Sequence, residues 1–464
     1  MNLISLFTKK RRPVIVPSGK HGLSRANVEP EVLNIMNRLR RNGFDACLVG
    51  GCVRDQLLGK KPKDFDIVTD ARPRQIKKLF RRCFLIGKRF RLAHVYIGPE
   101  RFIEVATYRA IADPDQVQGG RWAANNVYGS IEEDALRRDF TVNALYFNSA
   151  DSSIHDYCGG LRDLKKKRLR SIGDPYLRFR EDPVRIIRAA RFCAQLGFRL
   201  SAKDEKAARA CASLITGANP HRLLEELFKI LRSGASAGTF INLESFGILS
   251  HWLPDLEMDR HRDRLLRRLA ALDRLRNEGR DLPNGLLLAV LLFDLIEEAV
   301  SSSNREAGFH EAFVAIRETC APIQARLKIS RRDWDDMCQA AARRWYFLRF
   351  PSKEKKEKSR RRSEARFIQG PLFSDAITLF GILVEAYGAH KYLYEAWLLK
   401  SEERRGHDAR RGESKAHHPH PARQAEDNRS RINQPSGRRR KRRRKKSSDV
   451  QAVAANSDST TPQV

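Results

Sequence analysis

Asp64 and Asp66, separated by one residue, are the first candidates for chemistry in this chain. They lie in an apolar stretch, residues 64–69, that is typical of a β-strand, in which alternate residues face the same side. Two aligned carboxylates repel each other unless a cation is present. Magnesium suits them because it takes oxygen ligands and brings substrate phosphates with it. The pair therefore indicates a magnesium site, and the alternative is two solvated aspartates at a strand edge.

A second metal ion about 3.5–4 Å from the first would need a third carboxylate. We expect this to be Asp139, with Glu104 in reserve. Arg137 and Arg138 directly precede Asp139, and two arginines beside an acid would suit a triphosphate and its metals. The alternative interpretation is a surface ion pair, which contributes little.

Gly50 and Gly51 follow a short strand pattern and precede a helical segment, fourteen residues before the aspartates. Glycine allows a backbone to approach a ligand closely, and a helix N-terminus favours an anion. Arg54 adds a guanidinium that is suited to phosphate. A strand-to-helix turn with no ligand is at least as common, so the glycines alone indicate little.

Another candidate lies at residues 180–188, where Pro183 fits the first position of a helix and Asp182 its cap. Arg185 and Arg188 then share one helix face. An acid and two arginines on a rigid helix could recognise the edge of a base and bind phosphates. A helix cap with a solvated face is the simpler alternative, and the residues alone favour it.

The elements that position these residues change in type along the chain. Short strands and helices alternate over the first 165 residues, except for a polar, glycine-rich loop at 112–130. Helical spacing predominates from residue 174 onward. The sequence thus predicts a mixed α/β region followed by a helical region.

The 464 residues carry a formal net charge of +33, and the sequence pI is about 10.3. A protein this basic usually binds a polyanion, and nucleic acid is the leading candidate. Residues 401–464 contribute only +9, so the rest of the chain must carry basic surface too. The eight cysteines include no Cys-x-x-Cys pair, which argues against zinc and disulfide scaffolds. No apolar run approaches the roughly 20 residues that a membrane span needs.

Five segments together resemble the class II nucleotidyltransferases, a family that comprises bacterial poly(A) polymerases and tRNA CCA-adding enzymes. The segments occur in the family order. They are LVGGCVRDQLLG (48–59), KPKDFDIVTDARP (61–73), EEDALRRDFTVNALYF (132–147), DYCGGLRDL (156–164) and REDPVRIIRAARFCAQLGF (180–198).

The resemblance implies roles for the candidate residues. Asp64, Asp66 and Asp139 would be catalytic and would bind two magnesium ions. Ten residues would contact the nucleotide, with the last four selecting the base: Gly50, Gly51, Arg54, Arg137, Arg138, Asn143, Glu181, Asp182, Arg185 and Arg188.

The resemblance also implies an α+β fold, in which a head with a small antiparallel or mixed sheet precedes an all-α neck, body and tail. We therefore expect a disordered basic leader (1–25), a catalytic head (26–165), a helical neck (166–255), a helical RNA-binding body and tail (256–404) and a disordered basic tail (405–464). Nine consecutive basic residues in the last segment would bind RNA: Arg438, Arg439, Arg440, Lys441, Arg442, Arg443, Arg444, Lys445 and Lys446.

The stretch 85–95 is similar to a signature of the poly(A) polymerase branch. The expected activity is therefore template-independent transfer of AMP from ATP to RNA 3′ ends, which releases pyrophosphate and tags RNA for processing or decay. The alternatives are tRNA CCA addition and a non-catalytic RNA-binding protein with the same fold. We expect a cytoplasmic monomer, away from membranes, with RNA-decay or RNA-chaperone proteins as candidate partners.

Overall fold

The computed structural model describes residues 12–87, 92–110, 127–302, 309–348 and 357–416. By its contacts the chain divides into two units, Met1–Gly406 and His407–Val464. The second unit is described only as far as the end of its helix at residue 416. The basic run 438–446, most of the loop predicted at 112–130 and part of the 85–95 signature lie outside the described residues.

An eight-stranded mixed sheet organises the N-terminal region, in the order β1-β8-β7-β2-β3-β6-β5-β4. Strands β3 and β6 pair in parallel, and the other neighbours in this sheet are antiparallel. The strands are β1 (Val14–Val16), β2 (Ala46–Val49), β3 (Asp66–Thr69), β4 (Cys83–Ile86), β5 (Leu92–Tyr96), β6 (Phe102–Thr107), β7 (Leu145–Asn148) and β8 (Ser153–Asp156). A separate parallel pair joins β9 (Arg168–Leu169) to β10 (Arg199–Leu200).

Five helices accompany the sheet. The first of them buries Val32, Ile35, Met36 and Leu39, the helical spacing that its amphipathic sequence predicts. These residues pack into one core with apolar residues from one face of the sheet. The helices are α1 (Pro30–Arg41), α2 (Gly51–Leu57), α3 (Pro73–Leu79), α4 (Ile131–Arg137) and α5 (Gly160–Lys165).

The remaining described chain is helical apart from β9, β10 and the connections, and most of it packs around one large apolar core. The α+β fold predicted from the sequence is therefore confirmed. The helices are α6 (Pro175–Glu181), α7 (Val184–Leu196), α8 (Ala202–Ala210), α9 (Pro220–Leu231), α10 (Ser236–Ser245), α11 (Leu249–Trp252), α12 (Met258–Asn277), α13 (Asn284–Leu291), α14 (Phe293–Ser302), α15 (Phe309–Thr319), α16 (Ala321–Leu327), α17 (Arg331–Leu348), α18 (Glu357–Ile368), α19 (Phe373–Tyr387) and α20 (Lys391–Ala416).

Two of the predicted segment boundaries are corrected. Residues 14–16 were expected within a disordered leader, but they form β1, which pairs with β8 at the sheet edge. Three consecutive β-branched residues favour a strand even between basic and proline-containing neighbours. At the other end, α20 continues to Ala416, twelve residues beyond the predicted end of the helical region at 404.

All eight cysteines are free thiols, and seven of them are buried. Within the described ranges, no single helix is long and apolar enough to cross a bilayer. One pair, Arg362–Ile368 with Phe373–Tyr387, meets that test of length and composition together, but it is bent by 89°.

Candidate active site

Asp64 and Asp66 lie on the same side of the chain as it enters β3. Both are exposed, whereas Phe65 between them is buried in the core beneath the sheet. Asp66 is the first residue of β3, and Asp64 lies in the preceding extended segment rather than in the strand. The alternation that the sequence predicts therefore extends one residue pair beyond the hydrogen-bonded strand.

Glu104 on β6 is paired in register with Asp66 on β3. The pKa of Asp66 is raised to about 6. Its causes are reduced hydration by the surrounding protein and then the negative charge of Glu104, with a smaller contribution from Asp64; Arg138 acts in the opposite direction. The three carboxylates thus form an acidic site whose mutual repulsion a bound cation would relieve.

Asp139, the predicted third metal ligand, is engaged by the helical neck. Its Oδ2 accepts hydrogen bonds from Nε and Nη2 of Arg188 at 2.9 and 2.5 Å. Burial alone would raise the pKa of Asp139, but the charge and hydrogen bonds of Arg188, with bonds from Asn143 and the Phe140 amide, lower it to about 2. Glu104, the reserve candidate for the third metal ligand, is instead the carboxylate that lies beside Asp66 in the sheet.

No group of three or more His, Cys, Asp or Glu side chains among the described residues is placed to hold a metal ion by itself. Magnesium is commonly bound through one or two carboxylates together with substrate phosphates. Asp64 and Asp66 would therefore be the main ligands that the protein supplies to such a site. A role for Asp139 as a metal ligand stays a prediction.

The Gly50–Gly51 turn connects β2 to α2 and lies against Arg138. Gly50 has a φ of +82° and a ψ of −133°, a conformation that L side chains rarely adopt. A Cβ on Gly50 would lie 3.6 Å from Nη1 of Arg138, and one on Gly51 would lie 3.5 Å from Nη2 of Arg54. The turn therefore brings two predicted nucleotide-binding arginines next to bare backbone.

Arg54 is buried and begins a hydrogen-bonded network that crosses from the head to the neck. Its Nη1 donates to Oδ1 of Asn143 at 2.6 Å, and Nδ2 of Asn143 donates to Oδ1 of Asp139 at 3.2 Å. Arg188 then pairs with Asp139 on the other side. Four residues that the resemblance named separately thus form one continuous chain of contacts.

Asp134 anchors the two arginines before Asp139, and it is not among the residues predicted from the sequence. Its buried carboxylate accepts hydrogen bonds from Nε of Arg137 and Nε of Arg138, both at 3.1 Å, and from the Tyr146 hydroxyl at 2.9 Å. Burial would raise the pKa of Asp134, but the charges of Arg138 and Arg137 outweigh it and lower the pKa. The available sequence signal was the spacing of i to i+3 and i+4, from Asp134 on α4 to Arg137 at its end and Arg138 just after it.

The predicted base-selecting residues lie where α6 ends and α7 begins. Arg185 donates to Glu181 at 2.6 Å, and the Asp182 carboxylate accepts a hydrogen bond from the Val184 amide at 3.3 Å. Asp182 also accepts two hydrogen bonds, at 2.9 and 2.7 Å, from Arg222 on α9. The helix begins at Val184 with Pro183 as its N-cap residue, so the prediction of Asp182 as the cap and Pro183 as the first helical residue is wrong by one position. Asp182 is held instead by the ion pair with Arg222, which the sequence did not predict.

Two further missed residues join the neck to the head. Arg178 donates to the backbone carbonyls of Arg137 and Arg138 at 2.6 and 2.8 Å. Glu226 on α9 is buried and binds Arg188 as well as Arg191. Because Arg222 and Glu226 are four residues apart, they share one face of α9 and hold the predicted selecting segment from one side.

Comparisons with known proteins agree with this arrangement. A family model described as "Poly A polymerase head domain" matches residues 46–170, and one described as "Probable RNA and SrmB- binding site of polymerase A" matches residues 197–259. Poly(A) polymerase I of Escherichia coli O6:H1 is 39% identical over 369 residues, which are 73% of this chain and 78% of that protein. The CCA-adding enzyme of Bacillus pumilus is 35% identical over 229 residues, which are 49% of this chain and 56% of that protein.

Among solved structures, the Bacillus stearothermophilus CCA-adding enzyme in complex with CTP matches with a TM-score of 0.57 and 25% identity. The match covers 81% of this chain and 82% of that one. Fold and sequence together define a class II nucleotidyltransferase. Within that class, the chain belongs to the poly(A) polymerase I family.

Proposed function

We propose that this enzyme transfers AMP from ATP to RNA 3′ ends without a template and releases pyrophosphate, so that the tail tags RNA for processing or decay. The observation that carries the proposal is the Asp64–Asp66 pair beside Glu104. The chain that contains this pair is similar to poly(A) polymerase I over most of its length. No protein nucleophile is required, because the RNA 3′-hydroxyl attacks the α-phosphorus directly.

Magnesium fits the acidic site, because Asp64, Asp66 and Glu104 supply oxygen ligands. Reduced hydration and then the charges of Glu104 and Asp64 raise the pKa of Asp66, and a bound cation would offset both. Asp64 and Asp66 would hold the metal, with Glu104 or Asp139 as a further ligand. When bound, magnesium would promote ionisation of the 3′-hydroxyl and neutralise charge on the triphosphate.

The protein's own residues would bind and orient the nucleotide. Gly50 and Gly51 leave room for phosphates beside Arg138, and the buried Arg54 holds Asn143 in place beneath them. Arg137 would supply a further charge to the triphosphate. The resulting cluster is positive next to an acidic site, which is the charge pattern that a metal-bound triphosphate requires.

Base selection would lie with Glu181, Asp182, Arg185 and Arg188. The acids and arginines offer both hydrogen-bond acceptors and donors, so together they could recognise the edge of adenine. Arg185 pairs with Glu181, and Arg188 pairs with Asp139. To recognise a base, these side chains would therefore have to leave their ion pairs or form additional hydrogen bonds with the nucleotide.

The remaining features of the proposal concern the surroundings of the reaction. The net charge of +33 favours RNA held mainly through its backbone, including through the basic run 438–446. We further propose a cytoplasmic monomer with RNA-decay or RNA-chaperone proteins as partners.

Addition of CCA to tRNA is the second candidate, supported by the likeness to CCA-adding enzymes. An extension assay separates the two. The protein is given magnesium and either ATP or CTP, with an unstructured RNA oligonucleotide or a tRNA that lacks its CCA end. A long ladder with ATP on the oligonucleotide is expected. Incorporation of CTP that stops after two residues on the tRNA would assign CCA addition instead.

A further inference from the structure

The sheet face that carries Asp66 and Glu104 continues across two more strands. Glu104 on β6 lies opposite His94 on β5, and His94 lies opposite Phe84 on β4. Residues directly opposite each other on neighbouring strands project to the same face. The three carboxylates therefore stand at one end of a row that leads outward to the edge strand.

Four rings cover this outer part of the face: Phe84, His94, Tyr96 and Phe102. The His94 ring stacks on Phe102 with a centroid distance of 4.0 Å and an interplanar angle of 8°. Tyr96 contacts Phe84 at 5.5 Å and Phe102 at 5.6 Å. The rings thus form one continuous surface, here called the aromatic platform.

The platform is open to solvent although large apolar groups rarely are. Phe84 is 61% exposed and Phe102 is 38% exposed. The alternate residues of the same strands, such as Ala93, Val95 and Ile103, fill the core on the opposite face. Aromatic residues on an open edge strand invite aggregation unless they have a use, so the packing of the head does not account for them.

The platform has an acidic end and a basic end. At the inner end, next to Asp66, Oε1 of Glu104 lies 3.5 Å from Nε2 of His94. Arg81 and Arg82 are exposed just before β4, and the Arg82 carbonyl accepts a hydrogen bond from the Tyr96 amide at 2.9 Å. Cations at the outer end suit backbone phosphates, and acids at the inner end suit a hydroxyl terminus and its metal.

We propose that the aromatic platform binds the unpaired bases that precede the RNA 3′ end, with the terminal hydroxyl directed toward Asp66. This subsite rests on the proposed function. Bases of every kind stack on aromatic rings, and an exposed sheet face with aromatic residues can bind two or three of them. Such binding tolerates any sequence, which a template-independent polymerase requires.

The spacing of the platform agrees with this occupant. From a strand separation of about 4.8 Å and a rise of about 3.3 Å per residue, the backbone of Phe102 lies about 8 Å from that of Asp66. By the same dimensions Phe84 lies about 10 Å from Glu104, two strands away. The two most exposed rings thus lie within reach of the nucleotides next to the terminal one.

Steady-state extension of an unstructured RNA oligonucleotide tests the subsite in the full-length protein. The test variant combines Phe84→Ala with Phe102→Ala. The control combines Val14→Ala with Ile15→Ala, at residues that are 58% and 54% exposed on the opposite edge of the same sheet. We expect the test variant to raise the KM for RNA about 25-fold or more, since each of the two lost stacking partners weakens binding about fivefold or more. The KM for ATP of the test variant should not change, and the control variant should keep the KM for RNA of the unsubstituted protein.

A variant with Phe84→Tyr and Phe102→Tyr keeps the rings and should retain the KM for RNA, which separates stacking from damage to the fold. RNA with 4-thiouridine next to its 3′ end should crosslink to Phe84, Tyr96 or Phe102 in the unsubstituted protein. An unchanged KM for RNA in the alanine variant, or a change only in oligomeric state, would overturn the subsite. If the unsubstituted protein extends no RNA, it is the proposed function that fails.

Discussion

Glu104 and Asp66 stand side by side on parallel strands β6 and β3, and the charge of Glu104 adds to reduced hydration in raising the pKa of Asp66. Glu104 was only the reserve candidate for a third acid in the sequence analysis. The pairing arises because the chain returns through β4 and β5 before it adds β6 beside β3. Spacing along the sequence carries no information about that return.

The raised pKa of Asp66 makes magnesium binding sensitive to pH. Below about pH 6 Asp66 takes up a proton, and a metal ion must displace it, so apparent affinity should fall about tenfold per pH unit for one proton. Isothermal titration with Mg²⁺ and ATP at pH 5 to 8 measures this. Glu104→Gln removes one cause of the raised pKa, so its affinity should begin to fall at a lower pH. The same onset in both proteins would contradict the assigned cause.

The sign is opposite for folding. Because its pKa is raised from 3.8, the ionised Asp66 disfavours the folded state, so its contribution to stability falls as pH rises from about 4 to 6. Saturating magnesium should remove this effect. Urea unfolding of the unsubstituted protein and of Asp66→Asn, with and without magnesium, measures it. A pH dependence that is identical in the two proteins would contradict the prediction.

Arg188 links Asp139 of the head to Glu226 of the neck. Arg188→Ala should reduce the free energy of unfolding by about 2 kcal/mol, less than the 3–5 kcal/mol of a fully buried pair because Arg188 is partly exposed. The matched control is Arg209→Ala, which breaks an exposed i,i+4 pair with Glu205 and should cost less than about 0.5 kcal/mol. Equal losses in urea unfolding would contradict the assigned network.

Gly50 is required for its backbone conformation and for its closeness to Arg138. Gly50→Ala should lower stability by about 1–3 kcal/mol through strain and should also raise the KM for ATP. Gly43→Ala is the control, since its φ of +80° is similar but nothing lies within 4 Å of an added Cβ. Both variants should lose stability, and only Gly50→Ala should lose ATP affinity. Loss of ATP affinity in both would assign the effect to strain alone.

Arg222 holds the Asp182 carboxylate with two hydrogen bonds. Arg222→Ala should free that carboxylate and reduce the preference for ATP over CTP, measured as the ratio of the two kcat/KM values. Lys203→Ala breaks a comparable exposed pair with Asp174 and should leave the ratio unchanged. An unchanged ratio in the Arg222 variant as well would mean that the pair is only structural.

Local patterns were sufficient to predict much of this molecule. The alternation around Phe65 and the apolar face of α1 depend on neighbours in the sequence, and the structure contains both. The glycine turn was predictable for the same reason. Strand β1 was not, because its three residues are stabilised by pairing with β8, about 140 residues away.

The partners of the predicted site residues could not be found in this way. Arg222 and Glu226 come to the site only because α9 packs against α7, and Arg178 reaches back to the carbonyls beside Asp139. Such contacts depend on tertiary packing. The resemblance named the residues of the site, and the structure adds which of them are joined by hydrogen bonds or ion pairs.

The central claim is that the Asp64–Asp66 pair supports nucleotide transfer to RNA. The most direct measurement compares extension of an RNA oligonucleotide with ATP and magnesium by the unsubstituted protein and by Asp66→Asn, which keeps the size of the side chain but removes its charge. We predict a ladder of added adenylates for the first and a loss of at least a thousandfold in kcat for the second, with unfolding still cooperative in both. Extension by Asp66→Asn at the rate of the unsubstituted protein would contradict the account.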